Sequence, residues 1–267
     1  MSREELDRDA FQFFQQAPIT LDPRYQDALL LAKAYELPVA RRYLRDNGRH
    51  IAFQPRQGYC GVASLNTVLL SLPDLDCERV SPRVRVAAPL AFPERPHAMS
   101  LDELTRALVD ALHQREVPVR KVSAVDRFAN LDEFRRVLQL ANDPEHRLIA
   151  NFLRTPLFYS DQDCEVQRRR IYGGHFSPIG GYLPEEDLVL VLDVNAQFGF
   201  WLTPSARLFE ACGTRDPTSG RCRGLIVLQL DAPLAALPAL PDCGPLQLKT
   251  TPIVTDLRGA LVDRGHQ

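Results

Sequence analysis

The stretch Gly173-Gly-His-Phe-Ser-Pro-Ile-Gly-Gly-Tyr-Leu-Pro-Glu-Glu-Asp-Leu-Val-Leu-Val-Leu-Asp-Val-Asn195 sets the architecture. Residues 175–183 and 188–194 are apolar runs with strand character, and Pro184-Glu-Glu-Asp187 between them reads as a turn. Two runs joined by so short a link predict an antiparallel hairpin. His175 opens the first strand and Asp193 lies near the end of the second, so both sit at one end of the hairpin. Adjacent strands are about 5 Å apart, which allows an Asp–His hydrogen bond. An acid inside an apolar run also needs such a partner.

Outward from the hairpin, residues 147–153 and 224–230 are two further strand-like runs. Thr203-Pro204 predicts a short helix to about residue 212, with Thr as cap and Pro in the first turn. The first half has helical period. Residues 22–47 carry Leu29, Leu30, Ala34, Leu37 and Tyr43 among charges, with Gly48 as the stop. Residues 61–72 place Val62, Leu65, Val68, Leu69 and Leu72 at helical spacing before Pro73. Ser100 with Glu103 forms a capping box ahead of Leu101, Leu104, Leu108 and Leu112, and Asn130 with Glu133 opens another helix. The proline-rich residues 73–97 read as a long surface loop, and residues 231–267 as an extended or disordered tail. Helices followed by an antiparallel sheet predict an α+β fold with a helical N-terminal lobe and a sheet-based C-terminal lobe. The expected organisation is a helical extension over 1–48, a catalytic domain over 49–230 and a tail over 231–267.

Composition narrows the function. The chain has 267 residues, 45% hydrophobic and 25% charged, an ordinary globular composition. Its 32 basic and 34 acidic residues leave a net charge of -2, which argues against a nucleic-acid binder relying on an overall positive field. No apolar run approaches the roughly 18 residues of a membrane helix. The start, MSREELDRDAFQFFQQ, is charged where a signal peptide needs an apolar core. These features predict a cytoplasmic protein without membrane or nucleic-acid partners. None of the six cysteines forms a C-x-x-C pair, and the histidines show no metal-ligand spacing, so no metal site is expected.

Gln54-Pro-Arg-Gln-Gly-Tyr-Cys60-Gly61 carries the chemistry. Cys60 sits where a helix begins, and the positive end of the helix dipole favours the thiolate. Its N–H supplies half of an oxyanion hole, and the Gln54 amide is the candidate for the other half. Gly61 lets the backbone approach a substrate carbonyl. A thiolate nucleophile needs an imidazole and a group that orients it. His175 and Asp193 are the candidates. Cys77, Cys164, Cys212, Cys222 and Cys243 are scattered; Cys212 and Cys222 flank a turn at 213–220, where a disulfide or a soft-metal grip is the alternative to the free thiols expected in a reducing compartment. Trp201, Phe198 and Phe200 are expected to pack on the sheet.

Glutamine, cysteine on a helix, histidine on a strand and an acid on the next strand follow the order of papain-like cysteine peptidases. More closely, YCGVASLNTVLLSL, GGHFSPIGGY, LVLDV and GRCRGLIVL resemble the catalytic domain of phytochelatin synthases, the glutathione gamma-glutamylcysteinyltransferases, over about residues 50–230. The resemblance implies a papain-like fold with Cys60 as nucleophile, His175 as base and acid, Asp193 as its orienter and Gln54 as oxyanion donor. It places Asn151, Gly174 and Arg223 around the gamma-glutamylcysteine group. It implies attack on the Cys–Gly bond of glutathione or its S-conjugates, with gamma-Glu-Cys held as a thioester and passed to water or to a second glutathione. It implies no required cofactor, a response to cadmium or zinc carried by a metal–thiolate substrate, and a homodimer as the assembly to test.

The chain also departs from the plant members. It lacks their cysteine-rich C-terminal region and the paired cysteines where His97-Ala-Met-Ser100 stands here. Residues 155–172 look like an insertion beside the active site, and Arg168, Arg169 and Arg170 in it are candidates for the glycine carboxylate of glutathione. These departures favour hydrolysis over efficient polymer synthesis. The alternatives are an efficient metal-dependent phytochelatin synthase and a metal–thiolate binding protein on a retired peptidase scaffold.

Overall fold

The computed structural model describes Tyr25 and residues 27–48, 51–72, 90, 91, 93, 98–154, 156, 157, 173–196 and 198–231. Most of the proline-rich loop and of residues 155–172, with Arg168, Arg169 and Arg170, as well as Cys77, Cys164, His97 and the tail after Asp231 with Cys243, lie outside the described residues.

Three helices begin at side-chain caps. Asp27 caps α1 (Ala28–Tyr35), accepting hydrogen bonds from the amides of Leu29 and Leu30. The predicted 22–47 helix is in fact two, because Pro38 cannot continue α1 and instead starts α2 (Pro38–Gly48). Gly48 is the last helical residue rather than the stop beyond it. The Cys60-bearing helix is α3 (Cys60–Leu70). Ser100 and Glu103 cap α4 (Leu101–Gln114) reciprocally, and Asn130 caps α5 (Leu131–Gln139) through the Glu133 amide. A short 3-10 turn, Leu140–Asn142, leads into the central strands.

Six strands form one antiparallel sheet. They are β1 (Val119–Val125), β2 (His146–Leu153), β3 (Gly174–Leu183), β4 (Leu188–Leu192), β5 (Phe200–Pro204) and β6 (Gly224–Leu230), in the order β1-β6-β2-β3-β4-β5. The β3–β4 hairpin forms as expected, with Leu183 opposite Leu188 and an irregularity between Ile179 and Gly181. Two strands had no expectation: β1 is an edge strand with exposed Arg120 and Lys121, and β5 ends on Pro204. The helix expected from Thr203 begins later, as α6 (Ser205–Cys212). Thr203 belongs to β5, and Pro204 takes the cap position without a side-chain bond.

The sheet is buried on both faces, so its central strands read as apolar runs rather than alternations. Along β4, Leu188, Leu190 and Leu192 join one core and Val189 and Val191 the other. The first core receives α1–α4 and the second α5 and α6. The architecture is a mixed α+β fold in which helices cover both sheet faces. Arg147 locks α3 to β2. It is fully buried and donates to Ser71 Oγ at 2.8 Å and Ser71 O at 3.1 Å, just past the end of α3. Its remaining donors go to the carbonyls of Pro144 and His146, and its guanidinium lies over the Tyr43 ring.

Candidate active site

Cys60, His175 and Asp193 meet at one end of the sheet. Cys60 is the first residue of α3, and Tyr59 precedes it with no side-chain cap. The α3 amides at this end are therefore available to polarise the thiol. His175 is the second residue of β3, and Asp193 is the first residue beyond β4. The imidazole Nε2 lies 2.7 Å from Asp193 Oδ1, with both side chains essentially inaccessible to solvent. The Asp193 carboxylate also accepts from the Asn195 amide at 2.8 Å and from Trp201 Nε1 at 3.3 Å. Trp201 thus does more than pack: it helps hold the acid. Phe152, opposite His175 across β2–β3, packs edge-on against both the imidazole and Trp201.

The surrounding charges shift Cys60 and His175 in opposite directions. Burial opposes ionisation of Cys60. The His175 hydrogen bond and charge, the Phe176 amide and the charge of Arg154 outweigh it, holding the thiol below its ordinary range. Burial and Arg154 oppose a charged His175, but Asp193 and Cys60 raise it above the ordinary imidazole value. Asp193 is in turn held low, against burial, mainly by His175. By contrast, burial pushes the Cys212 thiol up. Among the described residues Cys60, Cys212 and Cys222 are all free.

Gln54 is anchored next to the acid: its amide donates to the carbonyl of Val194 at 2.8 Å, and its side-chain Oε1 is buried without a hydrogen-bond partner. A second cluster gathers where β2, β3 and β6 adjoin. Asn151 Oδ1 accepts from Arg223 Nη1 at 3.3 Å, while Asn151 Nδ2 and Arg223 Nε have no hydrogen-bond partner. Gly174 lies directly beneath Arg223; a Cβ there would come within 1.9 Å of Nη1. The sequence reading missed Asp216, whose buried carboxylate is 3.8 Å from the same guanidinium. Asp216 and Arg223 lie in or beside a turn closed by Asp216 N to Arg221 O and Arg223 N to Thr214 O. Arg221 ties that turn to Asp102 at the start of α4 and to Asp126 after β1. Arg154, also missed, donates from Nη2 to His175 Nδ1 at 2.8 Å.

The glycines divide by role. A side chain at Gly61 would press on Met99, one at Gly180 on Leu190 and Leu192, and one at Gly181 on Leu37. Gly180 and Gly181 therefore serve core packing. Among the described residues no group of three or more His, Cys, Asp or Glu could hold a metal ion. No helix among them is long and apolar enough to cross a membrane.

A family model described as phytochelatin synthase matches residues 26–225. The chain belongs to the phytochelatin synthase family. It is similar to glutathione gamma-glutamylcysteinyltransferase 1 of Triticum aestivum, 28% identical over 204 residues, covering 72% of this chain and 37% of the relative. Glutathione gamma-glutamylcysteinyltransferase 3 of Lotus japonicus is 27% identical over 193 residues, covering 66% of this chain and 35% of the relative. Identity rises to 45% over 58 residues with glutathione gamma-glutamylcysteinyltransferase 1 of Arabidopsis thaliana, covering 21% of this chain and 12% of the relative. The chain thus spans little more than a third of the length of the first two curated relatives.

Proposed function

We propose that this protein cleaves the Cys–Gly bond of glutathione or its S-conjugates through a gamma-Glu-Cys thioester on Cys60, releasing it mainly to water and, to a lesser extent, to a second glutathione. The observation that carries the proposal is the chain Cys60–His175–Asp193, a half-buried thiol held low beside a fully buried imidazole that is raised and paired with the acid. A retired scaffold would have no need to keep those groups poised. The shared end of α3, β3 and β4 also fits a papain-like reading of the fold.

In this mechanism His175 takes the Cys60 proton, and the thiolate attacks the carbonyl carbon of the substrate's cysteine. The oxyanion is met by the Cys60 N–H and the Gln54 amide. The bond to glycine nitrogen breaks as the imidazolium returns the proton to that nitrogen, and glycine leaves. Water, deprotonated by His175, then attacks the thioester and frees gamma-Glu-Cys. Asp193 orients the ring and stabilises its charge throughout.

The gamma-glutamyl end is a zwitterion, and the second cluster matches it. Arg223 offers a guanidinium to its alpha-carboxylate and Asp216 a carboxylate to its alpha-ammonium, with Asn151 beside them. Their unsatisfied donors, Asn151 Nδ2 and Arg223 Nε, are suited to a bound anionic ligand. A homodimer, a cytoplasmic setting and a metal response carried by metal–thiolate substrate remain part of the proposal. Incubation with glutathione, with and without cadmium or zinc, followed by mass spectrometry tests it. Free glycine with gamma-Glu-Cys is the expected product. Predominant gamma-Glu-Cys polymers point to the synthase alternative, and absence of both turnover and a gamma-Glu-Cys adduct on Cys60 overturns the proposal.

A further inference from the structure

Two groups compete for one nitrogen. Nε2 of His175 is committed to Asp193, which leaves Nδ1 to exchange a proton with Cys60. Yet Arg154 Nη2 lies 2.8 Å from Nδ1. A guanidinium N–H only donates, so Nδ1 must accept here, and the ring proton sits on Nε2 facing Asp193. An imidazole nitrogen has a single in-plane site. Once Nδ1 carries the Cys60 proton it cannot also face an arginine N–H, because two donors would meet head-on. The arrangement is therefore that of a neutral resting pair, and forming the ion pair requires Arg154 to withdraw. Arg154 is 4% exposed, immediately follows β2 and stacks over the Phe198 ring. A buried guanidinium leaves one partner only for another that compensates its charge.

The substrate supplies that partner. With Arg223 and Asp216 engaging the gamma-glutamyl end, the remaining carboxylate of glutathione belongs to glycine. Its carbon is two bonds from the amine nitrogen that must receive a proton from His175. Any group within hydrogen-bond distance of the proton-carrying nitrogen is thus close to that carboxylate. We propose that Arg154 is a gate on the Cys60–His175 pair: it caps Nδ1 in the resting enzyme and is drawn off by the carboxylate of the residue that follows the scissile bond. The gate rests on the glutathione reading above and adds a specificity to it. The substrate class is a gamma-glutamylcysteine whose scissile bond is followed by a single amino acid with a free carboxylate. The charged groups facing the pair are Asp193 beyond β4, Arg154 beyond β2 and, toward Cys60, Arg223 before β6. Arg154 repels an imidazolium and attracts a thiolate, but it touches the imidazole itself, so its net effect on the ion pair is restraint.

Two measurements on the full chain test the gate. The first compares kcat for glutathione and for glutathione carrying a C-terminal amide. The wild-type enzyme should lose at least about tenfold in kcat on the amide, and Arg154→Gln should turn over acid and amide alike. A purely structural Arg154 would lower both substrates together and keep their ratio, which overturns the gate. Equal wild-type kcat values for acid and amide also overturn it, without needing the variant to fold. The second follows alkylation of Cys60 by iodoacetamide at pH 6.5 with no substrate present. Arg154→Gln should react about fivefold faster than wild type, because the thiol then holds Nδ1 unopposed. Equal or slower alkylation overturns the gate even if glutathione proves not to be the substrate, which keeps the two proposals separable.

Discussion

Gly174 lies beneath the guanidinium of Arg223, with room there for a hydrogen but not for a methyl group. Gly174→Ala should displace Arg223 from Asn151 and Asp216 while leaving the neighbouring His175 in place. The expected result is a rise of about tenfold or more in KM for glutathione, with Cys60 alkylation unchanged. Steady-state kinetics and iodoacetamide labelling on the same preparation check it.

Asp216 and Arg223 should recognise the two charges of the gamma-glutamyl group separately. Asp216→Asn should weaken binding of glutathione but not of glutathione acetylated on its alpha-amino group, for which the ammonium is already gone. The expected wild-type preference for the free amine, about 10- to 100-fold in kcat/KM, should collapse in the variant. A preference that survives Asp216→Asn would place the ammonium elsewhere.

Cys60→Ser should lose at least about 10³-fold in turnover, because an alcohol has no comparable anion fraction near neutral pH. Intact-mass measurement should find a gamma-Glu-Cys adduct on wild-type protein and none on the serine variant. Retained turnover would remove Cys60 from the role of nucleophile.

Asp193 raises His175, so its loss has a definite sign in the pH profile. In Asp193→Asn the imidazolium should lose its proton at lower pH than in wild type. The acid limb of the kcat/KM profile, set by protonation of His175 in the free enzyme, then shifts to lower pH, with a loss on the order of 10²-fold at the optimum. A limb that stays in place or moves to higher pH would mean that another group sets it.

Arg147 should matter for stability rather than chemistry. Arg147→Met removes the donors that satisfy Ser71 O and the Pro144 and His146 carbonyls inside the protein. A cost of about 2–4 kcal/mol is expected in urea unfolding. The reactivity of Cys60 in the folded fraction should persist.

Local signals settled much of this protein from sequence alone. The Ser100–Glu103 box and the Asn130 cap act within one helical turn, so their helices begin where those residues stand. The hairpin through Pro184–Asp187 is equally local, and it was enough to bring His175 beside Asp193. The four central strands were legible because burial on both faces makes them apolar throughout. Local reading failed where no such signal exists. Edge strand β1 carries Arg120 and Lys121 in the open, and β5 is only five residues long and runs straight into Pro204, so neither gives a sustained strand pattern. Pro38 is the local signal that divides α1 from α2. Asp216 was invisible for a different reason: it lies in a polar turn, and only the closure of that turn sets it against Arg223. Arg154 likewise reads as an ordinary basic residue at the end of an apolar run. The register that pairs Phe152 with His175 carries Arg154 past the end of β2 and onto Nδ1. Sequence fixes which side chains are present and which local elements they form. Strand pairing and turn closure decide which of those side chains share a proton or a charge, because such contacts join residues that are distant along the chain.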